Sequence, residues 1–136
     1  MKKLSYTAIV LMALLTLSAA TVYAQSTGTW FKVPFSFTVA DQAMPAGQYY
    51  VEGLYWNAVA IHHSKGEAGV VLLAKQTGKA TDGKVKLVFH RYGDRYFLAE
   101  AQLPNMGTGR AFYAGKDERE IAQAQNRPAN VEIAGK

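Results

Sequence analysis

The chain has 136 residues, with 15 Lys+Arg against 10 Asp+Glu and no cysteine. That length allows one domain of ordinary size, and the missing cysteines exclude both a disulfide framework and a lipid anchor attached through a cysteine. The charges are scattered: Lys84, Lys86, Arg91 and Arg95 form the densest basic group, with Asp82 and Asp94 among them, so no basic stripe of the kind that grips a nucleic-acid backbone is present.

The first element in chain order is an export signal at residues 1–24. Lys2 and Lys3 supply a positive start, Ala8 to Leu17 an apolar core, and Val22-Tyr23-Ala24 the small-x-small pattern that places cleavage between Ala24 and Gln25. The apolar core is half the ~20 residues a membrane-spanning helix needs, so cleavage is expected, with no transmembrane segment afterwards. The remaining 112 residues (136 − 24) would carry a net charge of +3, because two lysines leave a chain of formal charge +5. The domain then spans 25–136, in the periplasm or outside the cell.

Phe31, Val33, Phe35, Phe37 and Val39 alternate with Lys32, Pro34, Ser36, Thr38 and Ala40, predicting one half-buried strand with an aromatic inner face. Pro34 lacks an N–H and favours an edge position or a bulge. Residues 41–48 (DQAMPAGQ) break the pattern with Pro45 and Gly47. A second strand is predicted from Gln48 to Leu54, with Tyr49 and Val51 facing one way, and a turn at Trp56-Asn57. A third covers Ala58 to His63, with Val59 and Ile61 inward. Gly69 to Lys75 (GVVLLAK) is a continuous apolar run, which predicts a strand that is buried on both faces or sits centrally in its sheet.

Residues 76–84 (QTGKATDGK) predict a loop. Val85, Leu87 and Phe89 then alternate with polar neighbours, and Gly93-Asp94 separates two strand-like runs by two residues, the clearest hairpin signal in the chain. It would pair Tyr92 with Arg95, Arg91 with Tyr96, and Phe89 with Leu98. A turn at 105–109 and a short strand at 110–113 follow. Lys116 to Gln125 has helix formers throughout and acids in its first turn, with Gly115 as a weak cap. Val131 and Ile133 suit a last edge strand. The predicted class is all-β: an antiparallel meander closing into a small barrel or a two-sheet sandwich, with one short C-terminal helix.

Several of these segments occur together in a recognisable set. Val33-Pro34-Phe35-x-Phe37-x-Val39, Pro45-Ala46-Gly47-x-Tyr49-x-Val51, Phe89-x-Arg91-Tyr92-Gly93-Asp94-x-Tyr96-Phe97-Leu98 and Glu118-Arg119 make the chain similar to a group of small exported bacterial β-proteins of unknown function. The resemblance covers most of the chain after the signal. It implies the exported compartment and the β fold, and no catalytic residue.

The chemistry-bearing residues are few. His62, His63 and His90 are the only histidines. Neighbours on a strand point to opposite faces, so His62 and His63 do not share an ion, and no metal site is predicted. No Gly-x-Ser-x-Gly elbow occurs. Glu52 and Glu100 are the only acids within predicted strands, and a glycan-active enzyme would have to use one of them. Gly107-Thr108-Gly109 lacks the strand–loop–helix context of a phosphate loop, so no cofactor is predicted. The aromatics remain: Tyr50, Tyr55, Trp56, Tyr92 and Tyr113 fall on outer faces or turns, and the first four are the candidate binding residues.

The function expected from this pattern is a non-enzymatic exported β domain that works by contact, as a binding or structural component of the cell envelope. Its partner would be an envelope protein or a glycan. The alternative is a carrier of a small apolar ligand, its lumen lined by Phe31, Phe35, Phe37, Leu87 and Phe89.

Overall fold

The computed structural model describes residues 28–66, 69–80, 82–104, 106–124 and 127–136, apart from the side chains of Trp56, Lys79 and Ala80. The predicted signal and its Ala24–Gln25 cut lie outside the described residues. The strands are β1 (Thr29–Val33), β2 (Phe37–Val39), β3 (Gln42–Met44), β4 (Gly47–Gly53), β5 (Ala58–His63), β6 (Gly69–Ala80), β7 (Lys86–Tyr92), β8 (Arg95–Gln102), β9 (Thr108–Phe112) and β10 (Ala129–Ala134). One helix, α1 (Lys116–Ala124), precedes β10, and a 3-10 turn at Tyr55–Asn57 joins β4 to β5.

All ten strands belong to one sheet. Its path runs β1-β4-β5-β6-β9-β8, with β7 and then β10 beyond β8 on one side and the β2–β3 hairpin against β8 on the other. The twelve-residue β6 is the hinge of this arrangement. Residues 69–73 pair with β5, and the strand then crosses to pair with β9. A run of this length joins two arms of the sheet, and the apolar sides of both arms meet in a single core that includes Phe31, Tyr49, Val51, Val59, Ile61, Phe37, Leu87, Phe89 and Leu98.

The β class and the late helix match the sequence reading, but the topology is not a pure antiparallel meander. Thr38 on β2 pairs parallel with Phe97 on β8, and β9 inserts between β6 and β8. Nor does the sheet close into a barrel. The ends approach where Lys136 N–H donates to Trp30 C=O at 3.1 Å, while Gly135 N–H turns back to Val85 C=O at 2.9 Å. Gly135 therefore stays bonded on the β7 side while Lys136 reaches β1. A cleft of about 350 Å³ lined by Trp30, Phe31, Lys32, Gln48, Ala134 and Lys136 separates the two edges. Gly135 is required there: a Cβ would stand 2.6–2.9 Å from Thr29, Val85 and Phe31 side-chain atoms.

The predicted first strand is broken in two. Pro34 ends the ladder of β1 with β4, and the chain resumes as β2 in another part of the sheet. The alternation nevertheless survives the break: Phe31, Val33, Phe37 and Val39 are buried and Phe35 is half-buried. The residues expected to line a lumen pack on one another instead of standing apart. Phe35 and Phe89 meet edge to face with ring centres 5.1 Å apart, and Phe37 meets Phe89 and Tyr49 at 5.2 Å each.

The region expected to be an irregular break after Val39 holds the β2–β3 hairpin, with Val39 opposite Gln42. Its two loop residues, Ala40 and Asp41, have φ of 48° and 64°, the pair of positive values that a type I′ turn demands. Aspartate tolerates that conformation and alanine does not do so readily, so the turn holds strain at Ala40. What it positions is the Asp41 carboxylate, which accepts Lys116 N–H at 3.0 Å and Asp117 N–H at 3.3 Å. Gly115 stands at the N-cap position, its C=O accepting Arg119 N–H at 3.1 Å, while the side-chain acceptors for the free N–H groups of α1 come from Asp41, in a loop 75 residues before Lys116. The Gly93-Asp94 hairpin forms in the predicted register, with Phe89 opposite Leu98, Arg91 opposite Tyr96 and Tyr92 opposite Arg95. Gly93, at φ 60°, supplies the positive angle that its turn needs. The predicted loop at 76–84 is shorter than expected, because β6 continues to Ala80.

Candidate functional site

The outer face of the sheet divides into a covered part and a bare part. Helix α1 lies over the β7–β8 end. Beneath it, Tyr92 and Phe97 meet edge to face at 5.8 Å, and His90 Nδ1 and Glu118 Oε1 form a hydrogen bond of 2.7 Å. Glu118 is the buried residue of the helix, and Arg95 reaches Asp117 at 3.4 Å on the outside. Tyr92 is therefore buried, at 7% exposure, and not on an open face as its place beside the turn suggested. Burial, and then the charge of Glu118, push its phenol above its ordinary pKa. That removes Tyr92 from the candidate contact residues.

Next to the helix lies a cleft of about 270 Å³ whose polar lining residues are Lys75, His90, Glu100, Glu118 and Asn130. Its floor is the bulge that sets two β8 residues, Ala99 among them, against one register step of β7. Glu118 orients His90, but the residues lining the cleft bring no hydroxyl or thiol for that histidine to activate. Glu100 accepts from Gln102 Nε2 at 3.2 Å, while Glu52 pairs with His62 at 3.4 Å on a strand separated from β8 by β5, β6 and β9. Glu52 and Glu100 thus serve separate local contacts. His62 is exposed and His63 buried, on opposite faces as expected. Among the described residues no three His, Asp or Glu side chains come together as a metal site.

The bare part is centred on β6. Val71 is 62% exposed and Leu73 71%, while Leu72 between them and Ala74 after them are buried. Of the two arrangements expected for the GVVLLAK run, the structure has the central one: β6 lies between β5 and β9, with one side on the core and the other in solvent rather than both sides buried. The register fixes the neighbours. Val71 lies opposite Ala60, which lies opposite Glu52; Leu73 lies opposite Ala58; Lys75 lies opposite Ala111. Continuing that ladder one residue sets Tyr113, 63% exposed, beside Leu73, and Lys75 Nζ stands 5.8 Å from its ring centre. The alanines at 58, 60 and 111 are what make this surface low and flat.

Two of the predicted contact residues border the patch. Tyr55, 89% exposed, sits with the exposed Leu54 where the 3-10 turn touches β6. Tyr50 is half-buried on the same outer face, its ring 5.3 Å from Trp30. The Trp56 side chain lies outside the described residues. Val71 and Leu73, the centre of the patch, are the residues that sequence reasoning missed. An apolar alternation at i and i+2 was present in the run, but every intervening position was apolar too.

No family model matches the chain, and neither does any curated protein or solved structure compared with it. Among the described residues no helix is long and apolar enough to cross a membrane.

Proposed function

We propose that this protein is an exported, non-enzymatic β domain that works by contact at the cell envelope, through the face formed by Val71, Leu73 and Tyr113 with Tyr55 at its end. The observation that carries this reading is the exposure of two adjacent large aliphatic residues in the middle of a regular sheet. Leaving them wet forgoes roughly 1.5–3 kcal/mol of burial each, a cost that a binding partner removes. The export signal in the sequence supports the envelope as the place.

Co-sedimentation with isolated envelope material tests the proposal. The chain, expressed at full length and purified as the cell processes it, should pellet with the envelope fraction. Leu73→Glu should lose that affinity while keeping the far-UV circular dichroism of the parent. A parent protein that neither binds envelope material nor associates with itself refutes the reading.

A further inference from the structure

We infer that the occupant of this face is a second copy of the same chain, docked face to face about a two-fold axis; the inference rests on the contact reading above and names its partner. The patch has an acid at one corner, Glu52 on β4, and a base at the opposite corner, Lys75 on β6. Ala58 on β5 lies midway between them: one strand away from each, and one register step of two residues from each row. With strands ~4.8 Å apart and ~6.8 Å per two residues, Glu52 and Lys75 stand about 17 Å from one another across the patch.

A two-fold axis lying in the plane of the face, through Ala58 and perpendicular to that diagonal, brings Glu52 of each copy over Lys75 of the other. The same rotation lays Val71 against the Leu73–Tyr113 edge of the partner, so the apolar centre is closed by itself. The two sets of strands then cross at about 70°, near the orthogonal class of sheet packing. An isologous interface must be self-complementary in this sense, and a patch whose only flanking charges were of one sign would not be. The aliphatic centre also distinguishes the partner chemically. A glycan needs hydrogen-bonding groups beside its stacking rings, and the Val71–Leu73 centre supplies none. Val71, Leu73, Tyr113, Tyr55 and Leu54 together expose roughly 600–700 Å², close to the ~800 Å² per partner of a standard interface.

Sedimentation velocity on the full-length chain, purified as the cell processes it, tests this inference with a charge exchange. The wild type should sediment as a dimer. Glu52→Lys and Lys75→Glu should each weaken the dimer by at least about tenfold, because each single change creates two like-charge contacts per dimer. The double variant should recover the wild-type dissociation constant to within a few-fold. Leu73→Glu should be monomeric with an unchanged circular dichroism spectrum. A wild type that stays monomeric at about 0.5 mM, or a double variant no tighter than the singles, overturns the inference. A monomeric wild type that still pellets with envelope material, in a manner abolished by Leu73→Glu, overturns the second copy alone and leaves the contact reading standing.

Discussion

Phe37 is the residue through which the two arms of the sheet share one core, and its removal tests whether they unfold together. It sits on the three-residue β2, is 3% exposed, and meets Tyr49 of β4 and Phe89 of β7 edge to face at 5.2 Å each. Tyr49 belongs to the β1-β4-β5 arm and Phe89 to the β7-β8 arm. Phe37→Ala removes the ring and leaves a cavity whose walls are held by two ladders, so little collapse is available to fill it. The expected cost is about 3–5 kcal/mol, within which each aromatic pair accounts for roughly 0.5–1.5 kcal/mol. Against a total stability of about 5–15 kcal/mol, that leaves a marginal protein. Phe37→Leu, which keeps most of the volume, should cost about 1–2 kcal/mol. Urea unfolding followed by the fluorescence of the two tryptophans, Trp30 on β1 and Trp56 in the turn between β4 and β5, and by far-UV circular dichroism measures both. The fluorescence reports the first arm and the dichroism reports the whole sheet. The two curves should coincide in wild type and in Phe37→Leu, with an unchanged slope and a lower midpoint. A loss below about 1 kcal/mol in Phe37→Ala would refute the claim that this ring is sealed in a shared core, and separate transitions in wild type would refute the shared core itself.

Two pH effects follow from the same coordinates. Burial pushes the Tyr49 phenol from its ordinary 10.0 up to about 12. A raised folded value means that the stabilisation is complete below pH 10, declines above it and is lost as the pH passes 12. Alkaline unfolding should therefore set in within that window, and Tyr49→Phe, which also drops the hydroxyl's hydrogen bond to Pro45 C=O, should lower stability at neutral pH and remove that part of the alkaline dependence. At the other end of the scale, the backbone N–H groups of Lys116 and then Asp117 hold the Asp41 carboxyl below the ordinary carboxylate range. A depressed folded value means that its contribution is present above the ordinary range and lost as the pH falls through the folded value. The protection factors of the Lys116 and Asp117 amides, taken against the intrinsic exchange rate at each pH, should fall in acid, and Asp41→Ala should show low protection at these amides at neutral pH; identical protection in the variant would show that Asp41 does not cap α1.

Where local rules sufficed, the sequence was legible to single residues. The Gly93-Asp94 hairpin needs only two β runs and a glycine that accepts positive φ, and its register came out pair for pair. The bounds of α1 were legible for the same reason, but its cap was not: Asp41 reaches it only because Ala40 and Asp41 both adopt positive φ, and an alanine in that position gives no turn signal. The parallel Thr38–Phe97 pair, the buried Tyr92 and the unclosed seam all depend on which distant segments meet, and alternation along the chain carries no information about that.

For β6 the central position was legible and the exposed side was not. A run such as GVVLLAK satisfies two arrangements equally: a strand covered on both sides by its own chain, or a strand whose second side is covered by something else. Burial of Leu72 and Ala74 accounts for one set of apolar positions, and folding alone gives no reason for the other. Val71 and Leu73 would be polar if the face were meant to stay wet, as Lys32 and Gln48 are on the outer face at the β1 edge. The same residues that defeated the prediction of burial are thus the ones on which the proposed contact rests, and the acid and base at opposite corners are what favours a second copy as its proposed occupant.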